Sequence, residues 1–200
     1  MQAVFVKEMK VFGTYFEFGV EHILAWEGLD HILFILALCA LYTLRDWRKV
    51  LVLVTAFTIG HSITLAISAF NLFTADSEWV EFLIPVTILV TALSNILKNN
   101  NNGGRMQLNY AYAALFGLIH GLGYARQLTA LLGRQKDIVL QLLGFNLGLE
   151  VGQIIIVLLF LLIAGLIIAF GNVSKREWVL GLSSFIAGMA MLMVLQNSFW

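Results

Sequence analysis

The sequence predicts an all-α, polytopic membrane protein, because three properties of its 200 residues point the same way. Hydrophobic residues make up 60% of the chain and charged ones only 12%, against about 45–50% and about 25% in an average soluble domain. The mean hydropathy is +0.88, and a water-soluble fold of this size has too little interior to hide that much apolar surface. The apolar residues are also gathered into runs that can cross a hydrocarbon layer, which takes about 20 residues and at the least roughly 17.

Those runs fall at 27–44, 50–70, 82–98, 109–127, 137–170 and 178–197, predicting six transmembrane helices. The fifth run is too long for one ordinary crossing, and Gly144, Gly148 and Gly152 recur in it at helical spacing. Its first half is therefore expected to be broken or strongly tilted, which leaves room for a seventh crossing. Ahead of the first run, VFGTYFEFGVEHILAW at 11–26 holds Glu17, Glu21 and His22 among apolar residues. That is too much charge for a lipid-exposed crossing, and the expectation is an interfacial or re-entrant helix packed on the bundle. The start, MQAVFVKEMK, lacks the basic opening and compact apolar core of a cleavable signal.

The chain reads as one membrane domain over 1–200, with the polar connection 98–108 dividing it into two three-span halves. The stretch KNNNNGGR at 98–105 is a flexible linker by composition. An odd number of crossings in each half would make any structural repeat inverted, and FTIGHS at 57–62 echoes FGLIHG at 116–121. Three basic loops fall on one side: Arg45, Arg48 and Lys49; Lys98 and Arg105; Lys175 and Arg176. The acidic TADSEWVE at 74–81 falls on the other, together with Arg126, Arg134 and Lys136. The positive-inside tendency then gives a multi-pass protein of the cytoplasmic membrane with both termini outside. Trp26, Trp47, Trp79, Trp178 and Trp200 stand mostly at expected span ends, where indoles anchor in the headgroup layer.

The formal net charge is zero, so nothing favours a polyanion, and nucleic-acid binding is not supported. The single cysteine, Cys39 in ILALCALY, excludes an intrachain disulfide and a thiolate metal cluster and reads as a small buried hydrophobe.

Against that apolar background the ionisable residues inside the runs stand out. Unpaired charge at bilayer depth costs several kcal/mol, so such groups face the bundle interior or a water-filled cavity. They are Glu21, His22, Asp30, His31, His61, Glu81, His120 and Glu150, and the span order places most of them in the outer half of the membrane. Neutral imidazole and carboxylate together suit a divalent transition metal, and nickel, zinc and cobalt are not distinguished by this set. On an unbroken helix His22 and His31 would lie about 13 Å apart along the axis; a turn near Trp26 to Gly28 would bring them together. Asp30 is expected to ligate directly or to take the ring N–H of a liganding histidine from another helix. Its neighbour His31 is not the expected partner, since adjacent helical residues diverge by roughly 100°. Thr58, His61 and Thr64 make one stripe on the second run, flanked by Ser62. Asn146, Glu150 and Gln153 share a face of the fifth. Glu21, Glu81 and Asn95 join Thr58, Ser62, Thr64, Asn146 and Gln153 as pathway or supporting groups.

Five segments carry a family likeness: GVEHILAWEGLDHILF at 19–34, FTIGHSITL at 57–65, VEFLIPVTILVTALSN at 80–95, FGLIHGLGYA at 116–125 and LLGFNLGLEVGQ at 142–153. In these the sequence resembles the HupE/UreJ family of small bacterial membrane proteins, described as nickel or cobalt permeases or as accessory proteins of hydrogenase and urease maturation. The resemblance implies a bacterial inner-membrane setting and a polar core of His22, Asp30, His31, His61, His120 and Glu150. It departs at Glu21, where a proline commonly adjoins the histidine region.

Two functions of different class follow. The first is passage of a divalent cation, with nickel the first candidate, from an outer acidic vestibule through several weak ligand sets. There is no phosphate-binding loop to supply ATP energy. The second is a zinc-dependent intramembrane hydrolase, with His31, His61 and His120 holding zinc and Asp30 or Glu150 as base. A metal sensor or assembly factor is a third reading. The bilayer and a metal cation are the implied partners, and a homo-oligomer or a metalloenzyme-maturation partner stays open.

Overall fold

The structure is a computed structural model that describes residues 2–73, 75–97, 106–132 and 138–198. Among the described residues every regular element is helical. Seven α-helices follow in order: α1 (Gln2–Leu24), α2 (Leu29–Cys39), α3 (Trp47–Ala69), α4 (Ser77–Leu97), α5 (Met106–Leu132), α6 (Ile138–Phe170) and α7 (Lys175–Gln196). Short 3₁₀ turns at Trp26–Gly28 and Leu44–Asp46 lead into α2 and α3. The linker with Lys98 and Arg105, the turn with Arg134 and Lys136, and Trp200 lie outside the described residues.

The expected count of six or seven crossings is corrected to four among the described residues, or five with one bent pair. Long, apolar spans are Leu44–Ala69, Ser77–Leu97, Ile138–Phe170 and Lys175–Gln196; α1 and α2 reach that standard only jointly, across a 70° bend. The run 27–44 fails alone because its helix, α2, has 11 residues and rises only about 16 Å, half a hydrocarbon layer. The segment 11–26 is the end of the long helix α1, not a separate element. The run 109–127 forms α5, which has the length but not the apolarity; His120, Arg126 and Gln127 and a cluster of glycines dilute it. The fifth run is neither broken nor doubled: α6 is one helix of 33 residues.

Local chemistry sets the boundaries. Asn71, at φ 54°, takes the left-handed conformation after α3, and the following N–H of Leu72 donates to the Ile67 carbonyl at 3.0 Å. At the start of α7 Ser174 Oγ accepts from the Glu177 N–H at 3.2 Å, and a Glu177 carboxylate oxygen accepts from the Ser174 N–H at 2.8 Å. Pro85 sits inside α4 and has no N–H to offer the Glu81 carbonyl four residues back. Asn197, just past α7, donates its amide there at 2.9 Å. At the other end of that pair Arg176 donates to the Ile96 carbonyl at 2.8 Å, so α4 and α7 run antiparallel.

The core is assembled by two helix pairs that touch backbone to backbone. A Cβ at Gly60 of α3 would collide with the Ala114 carbonyl, and one at Gly117 of α5 with the Phe57 carbonyl. In the other pair Gly19 of α1 abuts the Phe145 carbonyl and Gly148 of α6 the Phe16 carbonyl. Successive contacts advance together, Gly117 on the Phe57 carbonyl and Gly121 on that of His61, Gly144 on the Phe12 carbonyl and Gly148 on that of Phe16, so α3 lies parallel to α5 and α1 parallel to α6. Without a hydrophobic drive between helices in lipid, small residues allow the close approach from which packing energy comes. The echo between 57–62 and 116–121 thus marks two segments in direct contact. Large residues on the opposite side of α6, among them Leu147, Ile155, Leu158, Leu162 and Leu166, are exposed, as a lipid-facing surface requires.

Gly148→Ala is expected to force α1 from α6 and cost about 1–3 kcal/mol, read as a lower thermal midpoint in detergent. Gly181→Ala, where an added Cβ meets nothing within 4 Å, should leave that midpoint unchanged or raise it.

Candidate metal centre

The site begins with the break between α1 and α2. A Cβ on Gly28 would strike the His22 carbonyl oxygen, so a glycine there lets the chain bend by 70° within one 3₁₀ turn. That turn converts a nine-residue separation into contact: the His22 and His31 ring centroids are 4.9 Å apart. His61 comes in from α3, at 6.2 Å from His22 and 5.7 Å from His31. One nitrogen from each of these three imidazoles lies within 4.8 Å of the others. His120, from α5, stands 5.1 Å from His31. The parallel α3–α5 seam explains this last approach, since His61 follows Gly60 and His120 precedes Gly121, which rests on the His61 carbonyl.

Asp30 departs from its expected role. One carboxylate oxygen, Oδ1, accepts the His31 backbone N–H at 2.7 Å and faces His31 Nδ1 at 2.8 Å. Adjacent side chains do diverge along a helix, but Asp30 is in the first turn of α2, where backbone N–H groups lack an intrahelical acceptor. The carboxylate folds back onto that free N–H and meets the ring on the way. With Nδ1–H donated to Asp30, His31 keeps the lone pair of Nε2 for the cluster. His120 is oriented in the same manner, its Nδ1 lying 2.9 Å from the Phe116 carbonyl.

The result is a set of donor atoms with nothing to bind. Among the described residues, His22 Nε2, His31 Nε2, both His61 nitrogens and His120 Nε2 are buried without a hydrogen-bond partner. Their walls are aromatic: Tyr124 lies 3.8 Å from His22, Phe145 5.7 Å from His22, and Phe34 and Phe57 5.1 and 5.2 Å from His120. An unsatisfied buried polar group costs about 1–3 kcal/mol, and a cation coordinated by several of these nitrogens would recover that cost at once. Nitrogens sharing one tetrahedral ion sit about 3.4 Å apart, given bonds of about 2.1 Å, so closure asks the rings to move inward by roughly an ångström. The donor set fits a borderline divalent ion and offers no thiolate.

The other sequence candidates are placed elsewhere. Glu150 lies outside the three-imidazole group and accepts a hydrogen bond from Thr55. Thr58 faces Gln153 at 2.7 Å, and Ser62 donates to the Thr58 carbonyl at 2.7 Å. Thr64 donates to the His61 carbonyl at 3.0 Å. Asn95 bridges α4 to α2 through the Ala37 carbonyl at 2.7 Å, and Asn146 donates to Leu142 within α6 at 2.8 Å. Glu21 and Glu81 are exposed. Sequence reasoning missed Thr55, although it stands one more three-residue step along the stripe of Thr58 and His61. It also missed the aromatic walls, for which only the run of Phe and Tyr near each histidine gave a sign.

A family model described as HupE / UreJ protein matches residues 1–198. The chain belongs to the HupE/UreJ family. Four of its five likeness segments build this site: 19–34 on α1 and α2, 57–65 on α3, 116–125 on α5 and 142–153 on α6. No curated protein and no solved structure matches the chain. Family membership and the buried imidazole cluster together support a metal-binding or metal-transport role for this HupE/UreJ protein.

Asp30→Asn, which keeps the shape but loses the charge behind His31, is expected to weaken Co²⁺ binding about 10–100-fold. Equilibrium dialysis of the purified protein reads this directly, with the exposed Glu78→Gln as an unchanged control.

Proposed function

We propose that this protein passes a divalent transition-metal cation, nickel foremost, through the bilayer by way of the His22, His31, His61 and His120 cluster. The observation that carries the reading is the convergence from four helices of four imidazoles, each with a buried nitrogen that has no hydrogen-bond partner among the described residues, within aromatic walls. Packing has no use for such groups, and a protein that merely folded around them would be more stable with apolar residues in their place.

Access comes from the end of α3. A cavity of about 370 Å³, lined by Ser68, Asn71, Arg126 and Thr129 among others, opens seven residues beyond His61, about 10 Å along the helix. At the opposite end Leu44 packs on Gly165 and Trp178 on Phe160, so the basic starts of α3 and α7 meet the same stretch of α6. Arg45, Arg48, Lys49, Lys175 and Arg176 are gathered there, and the positive-inside tendency puts that end in the cytoplasm. The imidazoles are then reached from outside.

The hydrolase reading draws on one observation, a carboxylate-oriented histidine beside two more, which is also the donor set of catalytic zinc. It lacks a base. Asp30 Oδ1 is committed to His31, Glu150 lies outside the imidazole group, and the Ser62 hydroxyl is turned to the Thr58 carbonyl. Transport is the better supported of the two.

In liposomes containing a metal-quenched dye, the wild type is expected to admit Ni²⁺ or Co²⁺ well above the protein-free leak. His61→Ala should return influx to that leak. Metal retained by the wild type with no protein-dependent influx would refute transport and leave a sensor or assembly role.

A further inference from the structure

An ion held by the imidazoles needs a way on. Towards the cavity of about 290 Å³ lined by Tyr42, Asn95, Asn109 and Phe116 among others, the way is walled by aromatic rings. Phe34 stands 5.0 Å from Phe57 and 5.6 Å from Phe116, and both Phe34 and Phe57 press on His120. The seam between α3 and α6 is different. It carries a second polar set that the imidazole site does not use.

In that seam Thr55 donates to Glu150 Oε1 at 2.5 Å. Among the described residues Glu150 is in no ion pair, so a carboxylate at membrane depth is answered only by a neutral hydroxyl. One turn along, Thr58 Oγ1 lies 2.7 Å from the Gln153 side-chain oxygen and 3.2 Å from the Val54 carbonyl. A hydroxyl has a single proton and cannot donate to both. Amide oxygen and nitrogen are assigned from such networks, and turning the Gln153 amide over removes the conflict at the hydroxyl: the amide N–H donates to Thr58, and Thr58 donates to Val54. The amide oxygen then occupies the position of the terminal atom that is buried without a partner, on a side chain that is 0% exposed. A carboxylate and an orphaned amide oxygen, flanked by two hydroxyls, are the donors of an oxygen-liganded cation site.

We propose that Thr55, Thr58, Glu150 and Gln153 form a second station for the divalent cation, which receives it after the imidazoles release it. This rests on the transport reading. On α3 the two threonines lie three and six residues before His61, about 4.5 and 9 Å along the axis towards the basic end. Oxygen donors hold a borderline ion less firmly than imidazole, so the second station takes the ion loosely enough to pass it on. It also gives Glu150 the charge partner that it lacks among the described residues.

The test uses the full chain in lipid nanodiscs titrated with Co²⁺, whose visible bands distinguish nitrogen from oxygen coordination. The wild type is expected to bind two ions per chain. Glu150→Gln should bind one, keep the imidazole-type bands, and lose Co²⁺ influx in liposomes by at least the roughly tenfold that a weakened metal site shows. Gln153→Leu should behave alike and carries the test if Glu150→Gln does not fold. One ion in the wild type, loss of the imidazole bands in either variant, or undiminished influx in both would overturn the second station while leaving the first. A wild type that binds no Co²⁺ would remove the transport reading and this inference with it.

Discussion

Four imidazoles withdrawn from water into one aromatic pocket set the terms for the rest of the bundle. Each neutral ring can satisfy one nitrogen within the protein, as His31 does on Asp30 and His120 on the Phe116 carbonyl. The other nitrogen is left facing its neighbours, and this frustration is tolerable only if the surrounding packing is good enough to hold the rings there. The two glycine seams supply that packing. They bring α1 against α6 and α3 against α5 so closely that backbone carbonyls fill the space where Cβ atoms would be. His22, His61 and His120 all lie within three residues of a glycine in those seams, so the contacts that stabilise the bundle also fix the site.

The pairing is non-sequential, and that matters for how the site works. Each seam joins one helix from before the 98–105 linker to one from after it, so neither part of the chain builds the site alone. Asp30 and the 3₁₀ turn at Trp26–Gly28 add the one imidazole of the cluster that no glycine seam positions. Here a carboxylate performs two tasks, closing the start of a short helix and selecting the tautomer of the ring beside it. A change at Asp30 therefore touches the fold of α2 and the chemistry of His31 together.

Much of this was legible before any coordinates. Intramembrane histidines and acids stood out against a background of apolar residues, and the family likeness lay in the segments that hold them. The turn that joins His22 to His31 could be inferred because a continuous helix would keep them apart. Hydropathy failed where composition and geometry part company. It fused the short α2 with the residues after it into an apparent span, and it accepted the polar α5 because its glycines and aromatics look apolar in a sliding count. It divided α6, whose glycines proved to be contact points and not breaks. The Asp30–His31 pair was hidden because the rule that adjacent residues diverge holds within a helix and lapses at its first turn. Glu150 was grouped with the imidazoles because sequence gives a residue's depth but not the side of the bundle that it faces.

The unbroken course of α6 has a consequence beyond the site. Its 33 residues rise about 50 Å, whereas the hydrocarbon layer is about 30 Å thick. The surplus must be absorbed by leaning, by stretching the neighbouring acyl chains, or by running out among the headgroups. Because α6 carries Glu150 and Gln153 on one side and meets lipid on the other, any change in bilayer thickness acts on a rod whose middle lines the seam with α3. Lipid composition thereby becomes a mechanical input to the protein, working through hydrophobic mismatch and needing no bound regulator.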